Sequence, residues 1–150
     1  VSKGFFEDFH IDEVTKQMLF GVIEKKQKWE RLRKNVIFLQ IVTFSGFTAF
    51  FIYVLFNLVV PSGTWAAFVQ VFFGKTAHLY ILLLLFTSYW AVLHYKRNAD
   101  KAEEEFHSLR CEIIQKSADL WKEEQQWKER HKLFELMKKE YDINLYYENS

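Results

Sequence analysis

Polar and apolar positions in this chain fall into separate blocks instead of one repeating pattern. Residues 36–60 contain no Asp, Glu, Lys, Arg or His. At 1.5 Å per residue a helix of that length runs roughly 37 Å, longer than the roughly 30 Å of a bilayer's hydrocarbon core. The stretch predicts a membrane span. Residues 77–95 repeat the signal over roughly 28 Å, with His78 and His94 near the two ends and the apolar run 81–86 at the centre. The connection, residues 61–76, is too short to cross again as a helix. In it Pro61, Ser62 and Gly63 interrupt the first helix, and Trp65, Phe68, Val69 and Phe72 then follow at i, i+3, i+4 and i+7 as far as Gly74. That spacing predicts a short helix lying in the outer interface, or equally a re-entrant turn.

The flanks are charged and helical in period. Over residues 12–34, Ile11, Met18 and Leu32 alternate with Val22, Trp29 and Val36 at spacings of three, four and seven, which predicts an amphipathic helix running directly into the first span. Asp12 stands where an N-cap is needed, with Thr15 three positions on. Ahead of it, Phe5, Phe6 and Phe9 in an acidic segment suggest a loosely ordered start that docks by its aromatics. After the second span, residues 96–141 hold neither Gly nor Pro, so one unbroken helix of roughly 65–70 Å is expected. Ala99, Phe106, Ile113, Leu120, Trp127, Phe134 and Tyr141 form one apolar seven-residue register. The companion register, Ala102, Leu109, Lys116, Glu123, Arg130 and Met137, turns polar in its middle, where Ile114 and Trp121 widen the stripe to one side. Glu112 with Lys116, Glu124 with Lys128 and Glu135 with Lys139 are spaced as exposed i, i+4 pairs. The tail from Asp142, with Tyr146, Tyr147 and Ser150, is expected to fray.

The expected fold is therefore all-α: a two-helix transmembrane hairpin, a short amphipathic N-terminal helix and a long coiled-coil-like C-terminal helix. It divides into residues 1–35, 36–95 and 96–150. Orientation follows from basic residues. Lys25, Lys26, Lys28, Arg31, Arg33 and Lys34 precede the first span, Lys96, Arg97 and Lys101 follow the second, and the connection holds only Lys75. By the positive-inside rule both termini are cytoplasmic. The first eight of these flanking cations, Lys25 through Arg97, are also expected to touch anionic headgroups, at about 1 kcal/mol each. Within the hairpin, small residues should mark the contact: Thr43, Ser45, Gly46, Thr48 and Ala49 on one side, Thr87, Ser88 and Ala91 on the other, with Ser45 facing Thr87.

Composition alters this picture little. Half of the 150 residues are apolar and the net charge is +1, which by itself selects no partner. The single Cys111 permits no internal disulfide and stays a thiol in a reducing cytosol. Val1 is read as a literally translated bacterial GUG start in preference to the trimmed edge of a longer sequence, and residues 1–35 do not have the plan of a secretory signal. The first span then serves as its own insertion signal.

The basic-aromatic stretch Glu24-Lys25-Lys26-Gln27-Lys28-Trp29, the two spans joined by a short aromatic loop, and the breaker-free charged helix resemble the small YpbF-like membrane proteins of Bacillus-type bacteria. The resemblance covers nearly the whole chain in layout. It implies a bacterial plasma-membrane location, multi-pass, and carries over no functional residue.

Reactive constellations are sparse. Glu104 and His107 at i, i+3, with Cys111 one turn later, put a carboxylate, an imidazole and a thiol on one helical face, and Glu7 with His10 repeats the spacing. A di-iron bundle site needs two further inward Glu residues, and a structural zinc site more cysteines. A solvated face explains the pattern better, and no cofactor is expected. Cys111 with His107 lacks oxyanion donors, and the five glycines are isolated at 4, 21, 46, 63 and 74 instead of forming a phosphate loop. No enzyme is predicted. Nucleic-acid binding fits poorly, because the C-terminal segment of residues 96–150 is net acidic.

The expected function is accordingly non-enzymatic. An N-terminal helix of about 35 Å covers only half of the long one, so the distal stripe needs another surface: a bend that folds the helix back, a second copy of the chain or a different protein would each supply it, and the second copy is preferred. The expected interaction surface is Phe106, Leu109, Ile113, Leu120, Trp121, Trp127, Phe134 and Tyr141, used for self-association or for binding another membrane protein. The alternative is a subunit of a small pore or transport complex. Ionisable groups are absent from the interiors of the spans, where Gln40 and Asn57 near the borders are the polar candidates.

Overall fold

The structure, a computed structural model, describes residues 3–148. Val1, where the start was read, and Ser150 of the tail lie outside the described residues. The described chain is all helix and turn, with no strand among the described residues. Its elements are a 3₁₀ turn Lys3–Phe6, then α1 Glu13–Val54, a π segment Leu55–Val59, the single turn α2 Val60–Ser62, α3 Trp65–Gly74, α4 Thr76–Gln115, the short α5 Ser117–Leu120 and α6 Glu124–Tyr141. They group into two units, one of residues 1–31 and 99–150 and one of residues 32–98. Both α1 and α4 contribute residues to each.

The helix starts follow local chemistry. The Thr15 N–H donates to Asp12 Oδ1 at 3.3 Å, and the Thr15 hydroxyl donates to the same oxygen, so Asp12 caps α1 as its side chain predicts. The Thr64 hydroxyl accepts the Ala67 N–H at the start of α3. Gly63 supplies the left-handed turn before it, at φ 68°.

The expected unbroken helix after the second apolar stretch does not form. It ends at Gln115, and a new helix begins at Glu124. Glu123 and Gln126 cap that new start reciprocally, each side chain accepting from the other's backbone N–H. The break falls in the stretch where the companion register turns polar, and burial drives it. Trp121 is buried, with its ring edge-on to Phe134 at 5.3 Å. A straight helix would leave Leu133, Phe134 and Met137 without apolar neighbours; all three are instead buried together with Phe6, Leu19, Val22, Ile23, Phe106 and Ile113.

The tail is likewise ordered instead of frayed. Asp142 adopts a left-handed conformation that ends α6, and Ile143 and Leu145 beyond it are buried in the same cluster. The start docks by its aromatics as expected: Phe6 is fully buried, and its ring stands edge-on to Phe5 and Phe20.

In the other unit the helices run antiparallel. Phe47 meets Phe86 edge-on at 6.3 Å, and Tyr53 meets His78 at 5.8 Å. The two helices pack tightly at Gly46, where an added Cβ would lie 3.0 Å from Leu85 Cδ2. Ser45 and Thr87, expected to face each other, are both exposed, and the Thr87 hydroxyl donates to its own helix at Leu83 O. Leu85 fits against α1 because Gly46 has no Cβ, so the glycine and not the Ser45–Thr87 pair sets this contact.

Candidate functional site

Two long helices are apolar enough to cross a membrane by length and composition, and only a small share of their most apolar windows is buried within the chain. In residues 32–98 the outward side chains include Phe38, Phe44, Phe51, Trp90 and Leu84, all well exposed. Residues 31–99 contain no Asp or Glu.

Inside that unit a groove of about 700 Å³ opens between α1 and α4. Its polar end carries Lys96 and Gln40, its middle Thr43, and its apolar end Phe44, Phe47 and Phe86. Lys96 is exposed and has no ion pair among the described residues. Thr43 is buried, and its hydroxyl lacks a hydrogen-bond partner. The hydroxyls of Thr48 and Thr87 on the same helices donate instead to the carbonyls of Phe44 and Leu83. At the far end of this unit the buried His78 places Nδ1 2.9 Å from Phe72 O and Nε2 3.2 Å from the Tyr53 hydroxyl. A carbonyl only accepts, so Nδ1 carries the hydrogen.

The anticipated interaction surface is largely spent inside the other unit. Phe106, Ile113, Trp121 and Phe134 are buried, and Leu109, Leu120 and Tyr141 are half-buried against the same core. Trp127 alone of the eight stays outside, 45% exposed, with the Arg130 guanidinium 3.7 Å over its ring.

The basic cluster divides in the same way. Lys26 is buried, its ammonium 4.7 Å from the centre of the Trp29 ring and 3.9 Å from Asp142, and Lys25 pairs with Glu105 at 3.2 Å. Lys28, Arg31, Arg33, Lys34, Lys96 and Arg97 are exposed. The Lys25 hydrogen bond and charge hold the Glu105 carboxyl below the usual carboxylate range. Glu129 is lowered in the same direction, first by the backbone N–H of His10, which it accepts at 3.1 Å, and further by the His10 ring. Burial pushes the Tyr146 phenol up.

The metal-like spacings resolve into ordinary pairs. His10 bonds Glu129 instead of Glu7, and His107 lies 3.7 Å from Glu103 and beside the Trp29 ring. No group of three potential ligands occurs among the described residues. Sequence reasoning missed Arg110, a buried side chain whose guanidinium donates to the carbonyls of Asn144, Tyr147 and Glu148 at 2.9, 2.8 and 2.5 Å. Its position between apolar Leu109 and Cys111 in a helix read as straight gave no sign of a tail to hold.

A family described as "protein of unknown function (DUF2663)" matches residues 18–148. The chain is similar to the uncharacterised protein YpbF of Bacillus subtilis (strain 168), at 33% identity over 142 residues, covering 95% of this chain and 94% of that one. No solved structure matches.

Proposed function

We propose a membrane-anchoring and docking role for this chain, which belongs to the DUF2663 family: it is a non-enzymatic integral protein of the bacterial plasma membrane, with the hairpin of residues 32–98 crossing the bilayer and both termini in the cytoplasm. One observation carries the reading. The hairpin turns large apolar side chains outward along both long helices over a stretch without a single acidic residue, whereas the other unit buries most of its own in a core. Outward phenylalanines at this density are costly in water and favourable in hydrocarbon. The basic residues near the ends of the hairpin support the orientation, and six of them are exposed at the surface, where basic side chains attract anionic headgroups.

Docking then runs through what the core leaves uncovered. Trp127 with Arg130 on α6 is an aromatic-cation pair of the kind enriched at protein interfaces, facing a second copy or another membrane protein. The single native cysteine makes topology directly testable. In intact cells a membrane-impermeant maleimide should label a Lys75→Cys variant in a Cys111→Ser background and leave native Cys111 unlabelled until the membrane is permeabilised. The reverse pattern, or complete release of the chain by alkaline carbonate, defeats the proposal. A photo-crosslinker at position 127 should capture a discrete adduct in membranes; a monomer without adduct removes the docking half.

A further inference from the structure

We infer that the groove between α1 and α4 is a selective site for one anionic phospholipid of the bilayer, an assignment that rests on the membrane-spanning reading above. Three features of the groove follow the order of chemical groups along such a molecule. Lys96 stands at one end as a cation without an ion pair among the described residues, which suits a phosphate. Gln40 and Thr43 come next, within about one helical turn of each other along α1. They are hydrogen-bonding groups at the depth where ester carbonyls follow a phosphate. Phe44, Phe47 and Phe86 finish the groove as an apolar wall for acyl chain.

Thr43 distinguishes this groove from a generic crevice. In a helix a threonine hydroxyl ordinarily bonds the carbonyl one turn back, as those of Thr48 and Thr87 do. That of Thr43 has no partner although it is buried. An unmade hydrogen bond in an apolar setting is unfavourable, and threonine divides between two rotamers in helices, so a turn about χ1 presents the hydroxyl to an acceptor in the groove. The volume of about 700 Å³ lies within the range of small-ligand sites.

Charge selects the occupant. A second copy packing its own hairpin here would bring residues 31–99, which contain no carboxylate to answer Lys96. An anionic headgroup answers it. A zwitterionic headgroup answers it less well, because its own ammonium opposes the lysine.

The test uses the full chain extracted from membranes after carbonate washing, reconstituted in mixed micelles with phosphatidylglycerol or phosphatidylcholine, and read by native mass spectrometry. One phosphatidylglycerol should stay bound in preference to phosphatidylcholine. Lys96→Gln should weaken it roughly fivefold, the loss of one basic contact, and Thr43→Val by a similar factor, the loss of one hydrogen bond. Lys101→Gln, an exposed basic residue that neither lines the groove nor belongs to the cations assigned to headgroup contact, should change retention less than twofold. Equal retention of the two lipids overturns the site, as does an equal loss from Lys101→Gln and Lys96→Gln, which is diffuse attraction. A lipid-free dimer crosslinked through position 44 assigns the groove to a second copy and also overturns it. Release by carbonate defeats the membrane reading itself, whereas an embedded chain without lipid selectivity defeats only this inference.

Discussion

The Tyr53 hydroxyl stands 3.2 Å from His78 Nε2, and since His78 Nδ1 is committed to the Phe72 carbonyl, the phenol is the donor that completes the imidazole. This pair ties α1 to α4 beside α3, at the end of the hairpin opposite Lys96. The buried ring also stacks on Phe72 at 5.2 Å, so one side chain joins three helices. Tyr53→Phe should lower the unfolding free energy of the hairpin by about 0.5–1.5 kcal/mol, the net value of one hydrogen bond. His78→Ala should cost about 2–4 kcal/mol, because the second bond and the stacked ring go as well. Steric-trap unfolding in bicelles measures both. Tyr53→Phe in a His78→Ala background should then have little further effect; full additivity would show that the two side chains act separately.

Arg110 does the corresponding work for the tail. Its three donated hydrogen bonds take carbonyls that no helix satisfies and hold residues 144–148 against the core. Arg110→Met keeps the apolar stem but removes every donor. The expected result is a loss of about 2–4 kcal/mol, with hydrogen exchange accelerated first at Ile143 and Leu145. Arg110→Lys should recover only part of it, because an ammonium cannot present the planar fork that reaches three acceptors. Unchanged protection of Ile143 would mean that side-chain burial alone secures the tail.

Much of the fold could be read from residue patterns, and the places where reading failed share a cause. The α1 start at Asp12, the apolar hairpin and the α3 helix all follow from local signals: a capping carboxylate, a charge-free run, an i, i+3, i+4 spacing. The fold-back of α6 does not. Helix breaks are usually marked by Gly, Pro or a short polar N-cap, whereas here Glu123 caps and Lys116 precedes the break. The apolar register continues through it because Phe134 and Tyr141 still face a core, the chain's own. The polar interruption at Lys116, Glu123 and Arg130 was the available clue. Ser45 and Thr87 misled because composition locates a close contact between helices without saying whether glycine or a hydroxyl makes it. Arg110 and Thr43 matter through tertiary position, which spacing does not encode.

The fold-back makes its own prediction. Leu133 and Met137 are fully buried, so Leu133→Ala or Met137→Ala should each cost about 2–5 kcal/mol. Trp127→Ala, exposed and outside the core cluster, should cost under about 1 kcal/mol. A straight, self-associating helix reverses that order, because Trp127 would then lie in the seam. Thermal unfolding monitored by circular dichroism at two protein concentrations separates the cases, since an intramolecular core gives a midpoint independent of concentration.

The acid limb of stability should trace to two carboxylates at the surface. Both Glu105 and Glu129 have their pKa lowered below the ordinary 4.5, Glu105 by Lys25 and Glu129 by His10. The unfolded chain therefore takes up these protons first as pH falls. Their contribution is fully present above the ordinary value and is lost as pH drops through the lowered folded values. Glu105→Gln and Glu129→Gln should each flatten the decline in stability below about pH 4.5 by the same amount that they lower the neutral plateau, a small amount because both pairs are solvent-screened. Tyr146 works at the opposite end: burial raises its phenol above 10.0, so its contribution holds below the unfolded value and fades as pH rises through the folded one. Tyr146→Phe should remove that alkaline loss while also releasing the bond to the His131 carbonyl. Chemical denaturation across pH 3–11, with the variants run in parallel, reads both limbs; an acid decline unaltered in the double Gln variant would assign it to other carboxylates.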